Sequence, residues 1–302
     1  MGLDPTRLRR LRAATGDDIG VIVRDGYIAC QWGDIAAKFD WASATKPVVS
    51  TMLLFALAEQ RIGSVDTRVS RFGWPMAAKD RTMTLRHLAN MTSGYALPEA
   101  PGARWGYNDY AIALYCRTVF ERIFAQDPSS ATQAAKRLGA LGLQDGRLFG
   151  SAREGFALTT SVRDYARIGW FWLNKGRWRD RSLLPEDYMD TYCRNQVPAS
   201  LPRTVGGLND YLRVGTHGGG TNQSSQAQGF YGFNWWLNTE GRAWPDAPHD
   251  TFQARGHQNA ETLVVMPSLG IVAAWRGRRS GMGQPALDDA NVYFGLLASA
   301  VR

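Results

Sequence analysis

Ser43 and Lys46, within Ala42-Ser43-Ala44-Thr45-Lys46, make the only Ser-x-x-Lys in the chain. On a helix, residues three apart share a face with Cβ atoms about 5–6 Å apart, so the amine reaches the hydroxyl and acts on its proton. That is the arrangement of an activated nucleophile. Pro47 follows at once, and proline is tolerated in a helix only near its start, which predicts that Ser43 lies at a helix N-terminus. Orphan N–H groups and the positive dipole end favour the negative charge that an attacked acyl group acquires. The plainer alternative is a serine N-cap followed by a solvated first-turn lysine. Two features weigh against it. The chain has five lysines (Lys38, Lys46, Lys79, Lys136, Lys175), and the run from Val48 to Leu57 is apolar nearly all round, the mark of a buried helix. Gly63 is a plausible residue to end that helix, with Lys46 at the mouth of the core.

Elements must then be found to hold this pair. Ile19 to Arg24 and Tyr27 to Trp32 flank Asp25-Gly26, a strong hairpin signal. Near the other end, Thr262 to Met266 and Ile271 to Trp275 flank the turn Pro267-Ser268-Leu269-Gly270, and a helical pattern runs from Asp288 to Val301. Between them Thr84–Met91, Asp109–Phe124, Ser161–Leu173 and Pro185–Cys193 read at helical periodicity. The expected fold is α+β: an antiparallel sheet built from both chain ends, flanked by helices, with an inserted mainly helical region. The expected division is 1–70 with 230–302 as the sheet domain and 71–229 as the helical domain, with the active site in the cleft between them. From Ala199 to Gly229 periodicity is lost, which predicts a long loop that is either a lid or disordered. It includes His217-Gly218-Gly219-Gly220, similar to a lipase oxyanion string. No Gly-x-Ser-x-Gly elbow accompanies it, so it is discounted.

Composition narrows the function classes. Hydrophobic residues at 44% and charged residues at 21% are ordinary globular usage, and 302 residues can bury a large core. The formal net charge of +8 is spread along the chain apart from Arg7, Arg9, Arg10 and Arg12. Without aromatic interleaving or zinc spacing that cluster reads as a solvated helix face, so no nucleic-acid partner is expected. Cys30, Cys116 and Cys193 have no Cys-x-x-Cys spacing and the four histidines no His-x-x-x-His, so neither a metal site nor a disulfide framework is expected. No run approaches a membrane span and no leader is evident. As written the chain reads as soluble and cytoplasmic; removal of a leader would make it periplasmic or secreted.

The ordered motifs resemble the serine β-lactamase and penicillin-binding-protein superfamily, in the branch of class C β-lactamases, D-amino-acid peptidases, family VIII carboxylesterases and 6-aminohexanoate-dimer hydrolases. The resemblance covers nearly the whole chain. It is carried by Arg24-Asp25-Gly26, Ser43-Ala44-Thr45-Lys46, Thr84-Leu85-Arg86-His87-Leu88 leading to Met91-Thr92-Ser93-Gly94, Tyr107-Asn108-Asp109 within Pro101 to Tyr110, Ser161 to Arg167, and Tyr231 to Trp236. It implies that Ser43 is the acylated nucleophile, with Lys46 and Tyr107 sharing the proton traffic as base and then acid, and no cofactor or metal. A phenol near pKa 10 needs cations nearby to serve as a base, and an ammonium supplies one.

Two departures stand out. Where the second motif usually ends in Asn, this chain has Asp109, an anion that would hold Lys46 protonated and cannot donate to a substrate amide. Asp109 could also simply N-cap the helix that follows. At the third motif, Ala254-Arg255-Gly256 and His257 stand where the family usually has a Lys or His cation followed by Thr-Gly. The cation is missing there, unless Arg255 or a loop arginine substitutes. Gly256 fits a close backbone approach to substrate, and the His257 N–H would join that of Ser43 in the oxyanion hole. The His257 ring could touch substrate or bond Gln258 or Asn259. Some of Trp41, Trp105, Trp235 and Trp236 are expected to line the cleft, the rest to pack in the core. The resemblance thus implies an esterase or amidase on small-molecule substrates. The alternatives are β-lactamase or D-amino-acid peptidase activity, and a non-catalytic penicillin-binding sensor.

Overall fold

The computed structural model describes every residue except 1, 17, 147, 150–155, 218–220, 223–225 and 278–285. Its helices are α1 (Pro5–Thr15), α2 (Lys46–Ala58), α3 (Leu85–Ala89), α4 (Asp109–Arg117), α5 (Pro128–Thr132), α6 (Val162–Leu173), α7 (Asp187–Tyr192) and α8 (Ala286–Ser299). Its strands are β1 (Ile19–Arg24), β2 (Tyr27–Trp32), β3 (Lys38–Asp40), β4 (Tyr107–Asn108), β5 (Thr159–Ser161), β6 (Arg177–Trp178), β7 (Arg181–Ser182), β8 (Thr221–Asn222), β9 (Tyr231–Gly232), β10 (Trp235–Leu237), β11 (Phe252–Gly256), β12 (Glu261–Met266) and β13 (Ile271–Arg276).

One seven-stranded antiparallel sheet runs in the order β2-β1-β13-β12-β11-β10-β9. Asp25 and Gly26 both take positive φ, 50° and 84°, the tight turn that matches strand twist, and they close the first hairpin with Arg24 opposite Tyr27. Gly270, at φ 62°, closes the β12–β13 hairpin with Met266 opposite Ile271. β1 then pairs with β13 from Ile19↔Arg276 to Arg24↔Ile271, which stitches the two ends of the chain into one sheet. The α+β expectation and both hairpins hold. The short strands β9 and β10 and the two-stranded pairs β3–β5, β4–β8 and β6–β7 are too brief to register as periodicity.

α6 packs across β1, β12 and β13, and Gly169 makes that approach possible: a Cβ there would lie 2.6 Å from Val272 Cγ1 and 3.0 Å from Leu263 Cδ1. On another side of α6, Trp172 Nε1 donates to Thr51 Oγ1 of α2 at 2.9 Å. α2 is buried from Lys46 to Ala56. It stops at Ala58 rather than at Gly63, because Gln60 takes the left-handed turn at φ 57°. α1 presents its arginines to solvent and packs on α8 through its other face. The predicted helix over 109–124 is α4 continued by a wider π-helical stretch, Thr118–Phe124, that ends at Ala125 with φ 52°.

The described part of the 199–229 segment is tied down. Trp105 N–H donates to the Pro202 carbonyl at 2.9 Å, Thr204 N–H to that of Trp105 at 2.8 Å, and the Tyr211 hydroxyl to Asp80 Oδ2 at 2.8 Å. β8 pairs directly with β4, so this segment covers the second motif; residues 218–220 of the His-Gly-Gly-Gly string lie outside the described residues.

The Gly169 contact carries a prediction. Gly169→Ala should lower stability by about 1–3 kcal/mol, because α6 must lift from two strands to admit one methyl. An unchanged denaturant midpoint would contradict this packing.

Candidate active site

Ser43 sits in a 3-10 turn, Ala42–Thr45, that runs straight into α2. Ala42 is left-handed at φ 48°, a conformation that costs a non-glycine residue about 1–3 kcal/mol and marks a segment held by its surroundings. Those surroundings are specific. Asp40 Oδ1 accepts from Ala42 N–H at 2.7 Å, the Trp41 carbonyl from Ala44 N–H at 3.0 Å, and the Ala44 carbonyl from the Tyr165 hydroxyl of α6.

Lys46 is 1% exposed, buried rather than at the mouth of the core. Its Nζ donates to Ser43 Oγ at 2.7 Å and lies 2.9 Å from Asp109 Oδ1 and 4.7 Å from the centre of the Tyr107 ring. Burial disfavours the ammonium, but the Asp109 carboxylate and then Tyr107 outweigh it, so the lysine pKa is raised above its ordinary 10.5. Lys46 is therefore a cation at neutral pH, hydrogen-bonded to the candidate nucleophile.

Asp109 reaches this position as the first residue of α4. It is not the cap. Asn108 Oδ1 accepts from Tyr110 N–H at 3.0 Å and from Ala111 N–H at 3.3 Å, while Asn108 Nδ2 donates to the Tyr95 carbonyl at 2.7 Å. With the cap supplied by Asn108, the Asp109 carboxylate is released to face Lys46 at the positive end of the helix. The Asp109 carbonyl accepts from His217 N–H at 3.1 Å, which fastens the covering segment to the site.

Tyr107 is held by β4, with ring-centre distances of 6.4 Å to Trp105 and 6.2 Å to Trp236. Trp236 carries Arg255 on its face, Cζ to ring centre 3.5 Å. Burial pushes the Arg255 guanidinium down to about 10, against the pull of Tyr107 and Tyr231, and it stays charged at neutral pH. A cation is therefore present near the third motif, one residue after the position where the resemblance places it, as its own strand register dictates.

Not every expected site residue does what the sequence suggested. Gly256 is required by protein backbone rather than by substrate alone: a Cβ there would lie 2.6 Å from the Trp41 carbonyl oxygen, so β11 is pressed against the segment leading to Ser43. The His257 ring is 38% exposed, and its Nδ1 lies 2.8 Å from Glu261 Oε2. That partner lies at the start of β12, and the turn at His257, φ 29°, carries the ring towards it. Trp41 donates to the Thr160 carbonyl at 2.9 Å and Trp235 stacks edge-on against Trp172, so both are core residues. Trp105 and Trp236, also buried, are the two that support Tyr107. Sequence reasoning missed Asn108 as the cap and Glu261 as the imidazole partner. The first was legible, since Asn is as good a cap as Asp.

Comparison with known proteins identifies the fold and the family. Three solved structures share the fold over almost their whole length. A β-lactamase from Mycobacterium bovis is 21% identical, with a TM-score of 0.67 over 98% of this chain and 100% of that one. EstCE1, described as a hydrolase with promiscuous acyltransferase activity, is 13% identical, with a TM-score of 0.66 over 98% of each chain. A class C β-lactamase from Rhodobacter sphaeroides is 12% identical, with a TM-score of 0.64 over 98% of this chain and 99% of that one. No curated protein matches the chain by sequence. The Beta-lactamase family model matches residues 16–293, from before the first strand to within the last helix, and the chain belongs to that family.

Proposed function

We propose that this chain is a serine hydrolase that transfers the acyl group of a small ester or amide to Ser43 and then to water, with esters preferred. The observation that carries the reading is the 2.7 Å bond from the buried Lys46 ammonium to Ser43 Oγ. An ammonium in that place stabilises charge growing on the attacking oxygen. Because Lys46 already holds its proton, Tyr107 acts in its phenolate form: the phenolate takes the proton of Ser43 as the oxygen attacks, and the resulting phenol passes it to the leaving group. Lys46 and Arg255 supply positive charge around the phenol during that transfer. The same residues run in reverse with water as the nucleophile, which releases the acid.

Several features support the preference for esters. Asp109 stands where an amide donor would meet a β-lactam side chain, and its carboxylate can only accept. The wall around Tyr107 is aromatic, suited to an apolar acyl or alcohol group. The neighbour EstCE1 is itself described as a hydrolase with acyltransferase activity. The Ser43 and His257 N–H groups serve as the oxyanion donors, and the cleft divides a sheet domain, 1–70 with 230–302, from a helical domain, 71–229.

Activity assays test this reading directly. Ser43→Ala should abolish hydrolysis of short p-nitrophenyl esters, and Lys46→Ala and Tyr107→Phe should each slow acylation by roughly 10²-fold or more. Tyr107→Phe should do so with folding intact, and Lys46→Ala with stability lowered by about 3–5 kcal/mol because Asp109 is left unpaired. Near-wild-type acylation in either would remove that residue from the proton path. Should a cephalosporin be hydrolysed far faster than the ester, with Ser43→Ala abolishing it, the substrate preference is reversed.

Asp109→Asn tests the charge assignment separately. Without the carboxylate, burial acts on Lys46 against Tyr107 only, and its pKa falls from the wild-type level. The ammonium is then present only at lower pH, so the alkaline loss of acylation should begin at lower pH than in wild type. Asn also restores a donor, so the ratio of β-lactam to ester acylation should rise. An alkaline limb that stays in place would show that Asp109 does not hold the charge on Lys46.

A further inference from the structure

A cavity of about 410 Å³ lies between the β1–β2 hairpin and α6. The face of α6 that lines it carries Arg163, Arg167 and Trp170, positions spaced at i, i+4 and i+7. Tyr165 and Trp172, which reach Ala44 and Thr51, project from the opposite face of the same helix. The cavity and the Ser43 cluster are thus separated by α6.

Its lining is divided by chemistry. Val21 and Val23 of β1 form an aliphatic floor, and the half-buried indoles of Trp170 and Trp178 form an aromatic wall. Arg163 and Arg167 stand at the rim with side chains 30% and 25% exposed. Three carboxylates lie nearby: Asp34, which is exposed and acts on Arg163 only through its charge, and Asp164 and Asp145, both turned inward. Asp164 accepts from Gln144 N–H at 2.9 and 3.0 Å and from Asp145 N–H at 2.7 Å, and Arg167 lies 3.5 Å from it. Asp145 accepts from Ser161 Oγ at 2.5 Å and from Arg163 Nε and Nη2. Arg163 Nη1 and Arg167 Nη2 have no hydrogen bond among the described residues.

We propose that this cavity is a second ligand site, distinct from the Ser43 site, for a small planar aromatic carboxylate. Indole faces and valine methyls take up an apolar ring, while Arg163 Nη1 and Arg167 Nη2, one from each guanidinium, donate charge-assisted hydrogen bonds to a carboxylate. The size falls within that of small-molecule sites. The site does not depend on acyl chemistry, so it stands whether or not Ser43 is a nucleophile.

Calorimetric titration with 2-naphthoate tests it, with the full chain and the variants Ser43→Ala, Arg167→Gln and Trp178→Ala. The expected result is saturable one-to-one binding, equal in wild type and Ser43→Ala and weakened about tenfold or more in each of the other two. On the unaltered chain the neutral isostere 2-naphthamide should also bind about tenfold weaker or worse. The proposal is overturned by absence of saturable binding, by its loss in Ser43→Ala, by wild-type affinity in Arg167→Gln or Trp178→Ala, or by equal affinity for the amide.

Discussion

A protonated amine buried at 1% exposure is the constraint around which this molecule is arranged. An ion in the interior is costly unless a counter-charge and hydrogen bonds compensate it, and breaking a buried pair leaves a penalty of about 3–5 kcal/mol. Lys46 is compensated by groups from separate parts of the chain: Ser43 one turn earlier, Asp109 at the start of α4, and Tyr107 on β4. The starts of two buried helices therefore have to converge. Asn108 secures one of them by capping α4, and Tyr165 secures the other by bonding the Ala44 carbonyl.

The sheet edge answers from across the site. β11 presses Gly256 against the Trp41 carbonyl, and β10 places Trp236 beside Tyr107 with Arg255 over the Trp236 ring. Positive charge thus acts on Tyr107 from both Lys46 and Arg255, with the Asp109 carboxylate beside Lys46. The family's usual second-motif amide and third-motif lysine are both absent here, yet the site keeps a cation near each place.

How much of this was legible beforehand follows from the range of each interaction. Asp25-Gly26 and Pro267 to Gly270 specify their own turns locally, so the first hairpin could be drawn to the residue and the second to within one residue at its outer ends. Ser43 and Lys46 are three apart on continuous helical backbone, so their meeting was also a local matter. The roles of Gly256, His257 and the tryptophans were not. Whether Trp41 faces a cleft or Thr160 depends on where β3 and β5 meet, residues 38–40 against 159–161, and no pattern in either segment announces that pairing. Asp109 was foreseen as the anion beside Lys46, but which of two neighbouring residues caps α4 is decided by backbone geometry that composition does not carry.

The central claim is that Lys46 is a cation at neutral pH, held so by Asp109. With only five lysines in the chain, ε-13C-lysine NMR gives few enough signals to identify Lys46 by its loss in Lys46→Arg. The account predicts that this signal shows no titration through the neutral range and loses its proton only above 10.5, the ordinary lysine value. A Lys46 signal that titrates near neutrality would mean that the amine rests uncharged, and the assignment of proton roles among Ser43, Lys46 and Tyr107 would be wrong.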